Sequence, residues 1–345
     1  MPTAAWNRIL QEIIQLEIQD RQQPPAPGQP TQQDSYRRSK IAAIEQVTGR
    51  PLIVYATACT SPGKSVTIDM LMLDPSDKIG FKAVTDNIPG PNLDVLIHSP
   101  GGYAEAVESL VRQLRGKYEH IRFIIPSFAK SAATMFVMSG NEILMDRDAE
   151  LGPIDPQLRT QTGTSPAEAI LEQFQKAQAE LQQDTTKLPS WMPILAQFGP
   201  SLLVDCVHAI ELAKTLVKDW TKTYMLRDDP EAEEKSKKIA DFLSDHARFK
   251  SHGRPIKIPD LVPLGVRVTD IRSSPALHVA VDEFYCCLDI VLGNSPVYKI
   301  FENSAGEALI RMTQVLQAQF IQPPASLGPA PGPVPPPKAR PAAQP

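Results

Sequence analysis

Apolar residues recur along this chain with two different periods, and the places where the period changes divide it into parts. Trp6, Ile9, Leu10, Ile13, Ile14 and Ile18 fall at helical spacing, which puts them on one face of a helix. Residues 4–20 are therefore predicted to form an amphipathic helix that needs a surface to cover it. Residues 22–34, QQPPAPGQPTQQD, carry neither period, and proline at that density blocks both helix and sheet. They are predicted to be a linker, with a second helix over about 35–48.

Short apolar runs rich in branched side chains follow: LIVYAT (52–57), LDVLIHS (93–99), IRFIIPS (121–127) and EILMD (142–146). Such runs are what strands buried on both faces look like. Helical stretches over 65–79, 80–87, 103–117 and 131–139 separate them, and strands alternating with helices predict a mostly parallel sheet with crossover helices, an α/β fold. From 166 to 250 the pattern is predominantly helical. The last stretch, 322–345, is rich in Pro and Ala around PVPPPKARP and is predicted to be disordered or polyproline-like. The organisation expected is a helix over 1–21, a linker over 22–34, one domain over 35–321 and a tail over 322–345, with no internal repeat.

Composition narrows the function classes. With 345 residues, 42% hydrophobic and 21% charged, the chain can bury a sizeable core. Its formal charge of −4 supplies no basic field for phosphate, so no nucleic-acid partner is expected. Cys59, Cys206, Cys286 and Cys287 lack the spacing of a zinc site or a disulfide framework, and reduced, mostly buried thiols are expected. Neither metal nor organic cofactor is called for. The first twenty residues have no basic n-region or cleavage site. No stretch approaches the ~18 to 20 apolar residues that would span a bilayer, and a cytoplasmic protein without a transmembrane segment is expected.

Two strand ends carry unusual residues, and in a parallel sheet ligands collect where strands finish and helices begin. In HSPGGYAEAVESL a strand stops at Ser99, Pro100 fixes the turn, and Gly101 and Gly102 permit backbone that a side chain would forbid. In IIPSFAKSAATMFVMSG a helix of small residues opens at Ser131, whose hydroxyl stands at the positive helix end beside the Ala132 N–H. Either element alone has an ordinary explanation: a tight turn, or a serine capping a helix. Together they make two halves of an acyl-transfer site, with Ser131 attacking and the amides of Gly102 and Ala132 receiving the oxyanion.

LIHSPGG, IIPSFAKSAATM and NEILMDRDAELGPIDPQ, in this order, resemble the Clp-protease superfamily. The closest resemblance is to the soluble relatives of signal peptide peptidase A called the serine dehydrogenase proteinase family, over about residues 50–275. The resemblance implies a Clp/crotonase-type spiral of βαβ units with a helical C-terminal portion, a serine nucleophile at Ser131, an oxyanion hole from Gly102 and Ala132, a protein or peptide substrate and a homo-oligomer.

It leaves the general base open. Where the Clp proteolytic subunit has its histidine this chain has Asp155, in GPIDP, and where that protein has its aspartate this chain has His252, thirteen residues before Gly265. The two residue types are exchanged. Relatives of signal peptide peptidase use a lysine instead, for which Lys187, ahead of LPSWMP, is the candidate, with Lys176 in the same span. Lys187 would need apolar surroundings such as Leu188, Trp191 and Met192 to be neutral near pH 7. Asp155 equally suits a structural turn. His98 reads as packed on a strand, His208 as lying in an apolar helix, His120, His246 and His278 as peripheral, and Lys130 as pointing away from Ser131.

The reading expected is a serine endopeptidase. A scaffold that keeps the fold without chemistry is the alternative, and acyl-CoA chemistry of the crotonase type is a third possibility that the serine argues against.

Overall fold

The computed structural model describes residues 4–61, 64–160 and 163–313, and the chain enters its body through two helices, α1 (Ala4–Gln22) and α2 (Gln32–Thr48). Helix α2 begins earlier than its periodicity suggests because Thr31 caps it. The Thr31 hydroxyl accepts from the Asp34 N–H at 3.0 Å, and the Asp34 carboxylate accepts from the Thr31 N–H at 3.2 Å, a reciprocal cap that satisfies two otherwise orphaned donors.

The branched runs become β1 (Leu52–Thr57), followed by α3 (Ile68–Leu71) and α4 (Asp77–Thr85); β2 (Asn92–His98), followed by α5 (Ala104–Arg115); and β3 (His120–Ile125). A two-residue strand, β4 (Phe128–Ala129), precedes α6 (Ala132–Met138), and β5 (Glu142–Met145) precedes a second two-residue strand, β6 (Glu150–Leu151). A hairpin of β7 (Gln157–Thr160) and β8 (Gly163–Pro166) then leads into α7 (Ala167–Gln183), α8 (Leu188–Leu195), α9 (Leu202–Trp220) and α10 (Ala232–Ser244). Two short helices, α11 (His246–Phe249) and α12 (Ile258–Leu261), the strand β9 (Val268–Asp270) and the long helix α13 (Pro275–Asn294) complete the α/β part. The described chain ends in β10 (Val297–Asn303) and β11 (Ala308–Met312).

The main sheet runs β11-β10-β1-β2-β3-β5-β9. The neighbours from β1 to β9 are parallel, as the strand–helix alternation predicts. Strands β10 and β11 add an antiparallel edge, so the sheet is mixed. Every residue of β1 is buried, because both faces are covered. Ile53, Tyr55, Val95, Ile97 and Phe123 pack beneath Phe81, Leu110 and Phe136 of α4, α5 and α6. Their sequence neighbours Val54, Leu96 and Ile124 face the opposite way, toward Ile41 and Ile44 of α2 and Phe284 and Leu288 of α13, as strand alternation requires.

The surface that α1 needs belongs to the same chain. Ile9 and Ile13 pack against Cys286, Cys287 and Ile290 of α13, and the Trp6 indole N–H donates to Asp289 at 2.9 Å. The four cysteines are free thiols, with Cys206, Cys286 and Cys287 buried. Among the described residues no helix is long and apolar enough to cross a membrane. The tail over 322–345 and the end of the domain expected to reach 321 lie outside the described residues.

Candidate active site

A second set of backbone pairings runs across the carboxyl ends of the parallel strands. Just past β2, Ser99 pairs with Ala129 of β4: its N–H donates to Phe128 C=O at 3.3 Å and its C=O accepts from Lys130 N–H at 3.1 Å. Ala129 is in turn opposite Leu151 of β6, and Leu151 exchanges both backbone hydrogen bonds with Ile256, each 3.0 Å long. On the far side Leu73 pairs with Gly102, donating to Gly101 C=O at 2.7 Å and accepting from Tyr103 N–H at 3.0 Å. This short ladder draws together the Gly-Gly turn, the serine turn, the GPIDP segment and the segment after α11, which are remote in sequence.

Ser131 lies two residues beyond the ladder position Ala129. Its backbone has φ 51° and ψ −124°, a left-handed φ that costs a non-glycine residue free energy and persists only where its surroundings enforce it. Although Ser131 occupies the cap position of α6, its side chain makes no capping hydrogen bond. The hydroxyl is therefore not engaged in the role that serines before helices usually have.

The two glycines fit around it. Gly101 has φ 112°, and a Cβ there would lie 2.7 Å from Ser131 Cβ; at Gly102 it would lie 2.2 Å from the Leu73 carbonyl oxygen. A side chain at Gly101 would force the two turns apart, and one at Gly102 would break the pairing with Leu73. Because Leu73 pairs through Gly101 C=O and Tyr103 N–H, the Gly102 amide faces the other edge of this strand. The Ala132 amide sits in the first turn of α6, where an N–H has no acceptor within its own helix.

Asp155, four residues beyond Leu151, is buried, and its carboxylate joins two histidines. His252 Nδ1 is 2.7 Å from Oδ1 and His246 Nδ1 is 3.2 Å from Oδ2. Gln157 Nε2 donates to Oδ2 at 3.0 Å. An ionised carboxylate only accepts hydrogen bonds, so an imidazole facing it through Nδ1 presents an Nδ1–H, and the neutral form of such a ring has its lone pair on Nε2. His246, read as peripheral from sequence, is thus part of the cluster. Its neighbourhood is set by the Ile154 N–H, which donates to Leu243 C=O at 2.8 Å and ties the GPIDP segment to the end of α10. No local sequence signal marks that contact.

The family model for ClpP-like SDH-type serine proteinases matches residues 67–276, more than half of the chain and all of this cluster. The chain belongs to this family. Two uncharacterized proteins of Methanocaldococcus jannaschii are similar to it. One is 29% identical over 177 residues, 51% of this chain and 51% of the relative; the other is 30% identical over 176 residues, 51% of this chain and 53% of the relative. The chain thus spans about half the length of these curated relatives. A solved structure of a membrane-bound stomatin-specific protease mutant overlaps 59% of this chain and 77% of its own at 15% identity, with a TM-score of 0.34. At that TM-score the overlap carries no argument about the chemistry. Family membership and the mixed α/β sheet agree with the Clp-like fold expected from the motifs.

The other candidates stand elsewhere in the fold. Lys187 follows α7, with its side chain 46% exposed and its ammonium 3.7 Å from Glu180. The apolar surroundings expected for it are not formed: Leu188 and Met192 are themselves exposed, and the buried Trp191 directs its indole N–H to Glu180 at 3.2 Å. Lys176 is exposed on α7. Lys130 turns to Glu150 at 2.7 Å and to Leu151 C=O at 3.3 Å. His98 is buried against Phe128 and Tyr285, and burial pushes its pKa down to about 4. His208 lies on the helix α9, where it is exposed, because that helix buries a different face around Cys206, Ala213 and Val217. Helix α7 begins beside the cluster, where Ala167 N–H donates to Pro156 C=O at 2.9 Å.

Proposed function

We propose that the chain is a serine endopeptidase that cleaves protein or peptide substrates through an acyl-enzyme on Ser131. The observation that carries this reading is the 2.7 Å contact between His252 Nδ1 and the buried Asp155 carboxylate, on segments that the backbone ladder joins to the serine turn. In the reaction Ser131 Oγ attacks the scissile carbonyl while His252 Nε2 takes its proton and passes it to the leaving amine. Water then enters, deprotonated by the same nitrogen, and releases the acyl group. Asp155 fixes the His252 tautomer and stabilises the imidazolium. The amides of Gly102 and Ala132 receive the oxyanion, where one such donor contributes about 3 kcal/mol to the transition state.

Compared with the family's better-known member, acid and imidazole have exchanged places along the chain while keeping their roles. A triad is defined by geometry rather than by order. The reading as a scaffold without chemistry rests on the want of a base, and the Asp155–His252 pair supplies a candidate. Lys187 stands at the surface beside Glu180, without the burial that a lysine base needs. Assembly into a homo-oligomer remains part of the proposal on family grounds, since α1 already has its partner within the chain. A cytosolic location is proposed from the four free thiols, which a reducing compartment maintains.

The test is covalent modification by a fluorophosphonate, mapped by mass spectrometry, together with casein hydrolysis. Wild type is expected to carry the adduct on Ser131, and Ser131→Ala to lose both labelling and hydrolysis by about 1,000-fold or more. Hydrolysis that survives Ser131→Ala would overturn the assignment.

A further inference from the structure

The two oxygens of Asp155 are held unequally. Oδ1 faces His252 Nδ1 at 2.7 Å, while Oδ2 takes two donors, Gln157 Nε2 at 3.0 Å and His246 Nδ1 at 3.2 Å. We infer that His246 is a positioning residue of the reaction, clamping Oδ2 together with Gln157 so that Oδ1 stays aimed at His252. The inference rests on the reading of Ser131, His252 and Asp155 as the reacting set.

The physical need for such a clamp is specific to aspartate. Its terminal torsion is soft and roughly two-fold, so one hydrogen bond on one oxygen would leave the carboxylate free to rotate. A donor on the second oxygen removes that freedom. Asp155 is also nearly sealed from solvent, at 2% exposure, and a buried carboxylate needs its lone pairs matched by protein donors. His246 is placed for this by backbone rather than by chance contact. Asp245 accepts from Arg248 N–H at 2.8 Å to open α11, and His246 is the first residue of that helix. Ile154 N–H, next to Asp155, bonds to Leu243 at the end of α10. The two imidazoles differ in access, with side chains 14% exposed for His246 and 28% for His252. The more sheltered ring acts as the buttress and the more open one faces the reaction.

The test compares wild type with His246→Leu, which keeps bulk and loses the donor, and His246→Asn, whose side-chain amide can donate from near the Nδ1 position. Two readouts are taken on the same folded samples: the rate of fluorophosphonate labelling at Ser131 and the Nδ1–H proton resonance of His252. For His246→Leu labelling is expected to slow roughly 10- to 30-fold, as loss of a hydrogen bond to a charged group does, and the resonance to broaden or vanish. For His246→Asn both are expected to recover, with labelling within about threefold of wild type. A His246→Leu protein indistinguishable from wild type overturns the inference, as does equal loss in the Leu and Asn variants, which would mean that only packing matters. If wild type takes no label, the reading of Ser131 fails, and the resonance alone still decides whether His246 fixes the Asp155–His252 pair. Should His246→Leu not fold, Gln157→Leu on the same oxygen carries the test, with slowed labelling expected and unchanged labelling and resonance contradicting it.

Discussion

Asp77 and Asp155 are both buried carboxylates, and their hydrogen-bond partners differ in kind. Asp77 lies against the ammonium of Lys299 at 2.9 and 3.0 Å and accepts from the Tyr55 hydroxyl at 3.2 Å. Asp155 lies against two imidazoles and an amide. Four carboxylates are buried among the described residues, and the other two follow Asp77: Asp94 pairs with Arg50 and Arg122, and Glu302 with Arg37 and Arg38. A lysine or arginine partner fixes a carboxylate for structure, whereas an imidazole can change its proton count within the range where enzymes work. Removing one side of a structural pair strands a charge in the interior; removing one side of the Asp155 cluster should instead disable a proton relay.

Exchanging the consequence of mutation between these two centres would break that contrast. The largest effect expected is at the cluster: Asp155→Asn should lower turnover by about 10,000-fold, since an amide favours the wrong histidine tautomer, with little change in the urea midpoint. Next comes the structural centre, where Lys299→Met should destabilise the fold by about 3–5 kcal/mol and leave labelling of the remaining folded protein far less affected than Asp155→Asn does. Comparable loss of activity and stability at both sites would contradict the division.

A third histidine sharpens the comparison, because it is buried without a carboxylate. His98 is held at about 4 against an ordinary 6.5, so the unfolded chain binds its proton first as the pH drops. Its stabilising contribution is complete above about pH 6.5, shrinks as the pH falls and is lost by about pH 4. Between pH 7 and pH 5 wild type should therefore lose about 2 kcal/mol that His98→Phe does not lose, read as the difference between their urea unfolding curves. The smallest effect expected is at Lys187, whose exposed pair with Glu180 contributes at most about 1 kcal/mol; Lys187→Ala should change turnover by less than about twofold. A large loss there would restore the lysine as base.

What could be read from the chain alone follows the range of the forces involved. The runs over 52–57, 93–99, 121–127 and 142–146 announce β1, β2, β3 and β5, because a strand buried on both faces is apolar at most positions, with Asp94 of β2 paired to Arg122 of β3. Strands β4 and β6 have two residues each, too few to show a period, yet they hold the ladder that assembles the site. Gly101 and Gly102 were legible because steric demands are written into residue type, whereas the positive φ of Ser131 was not, since a serine ordinarily avoids it. The meeting of His246 with Asp155 was not, since it depends on how the end of α10 packs. LPSWMP misled for a related reason: an apolar run at the surface looks the same as a buried one until its neighbours are placed. The pairing of β10 with β1 and the docking of α1 on α13 depend likewise on contacts remote in sequence, such as Ile53 with Asn303 and Trp6 with Asp289.

The central claim is that the hydroxyl of Ser131, the amides of Gly102 and Ala132 and the imidazole of His252 converge on one reacting carbon. A crystal structure of the fluorophosphonate adduct tests it most directly. The account predicts the phosphonyl group on Ser131 Oγ, its oxygen about 3 Å from both amide nitrogens and His252 Nε2 within hydrogen-bond reach of the adduct. An adduct on another residue, or one on Ser131 whose oxygen points away from Gly102 and Ala132, would contradict it.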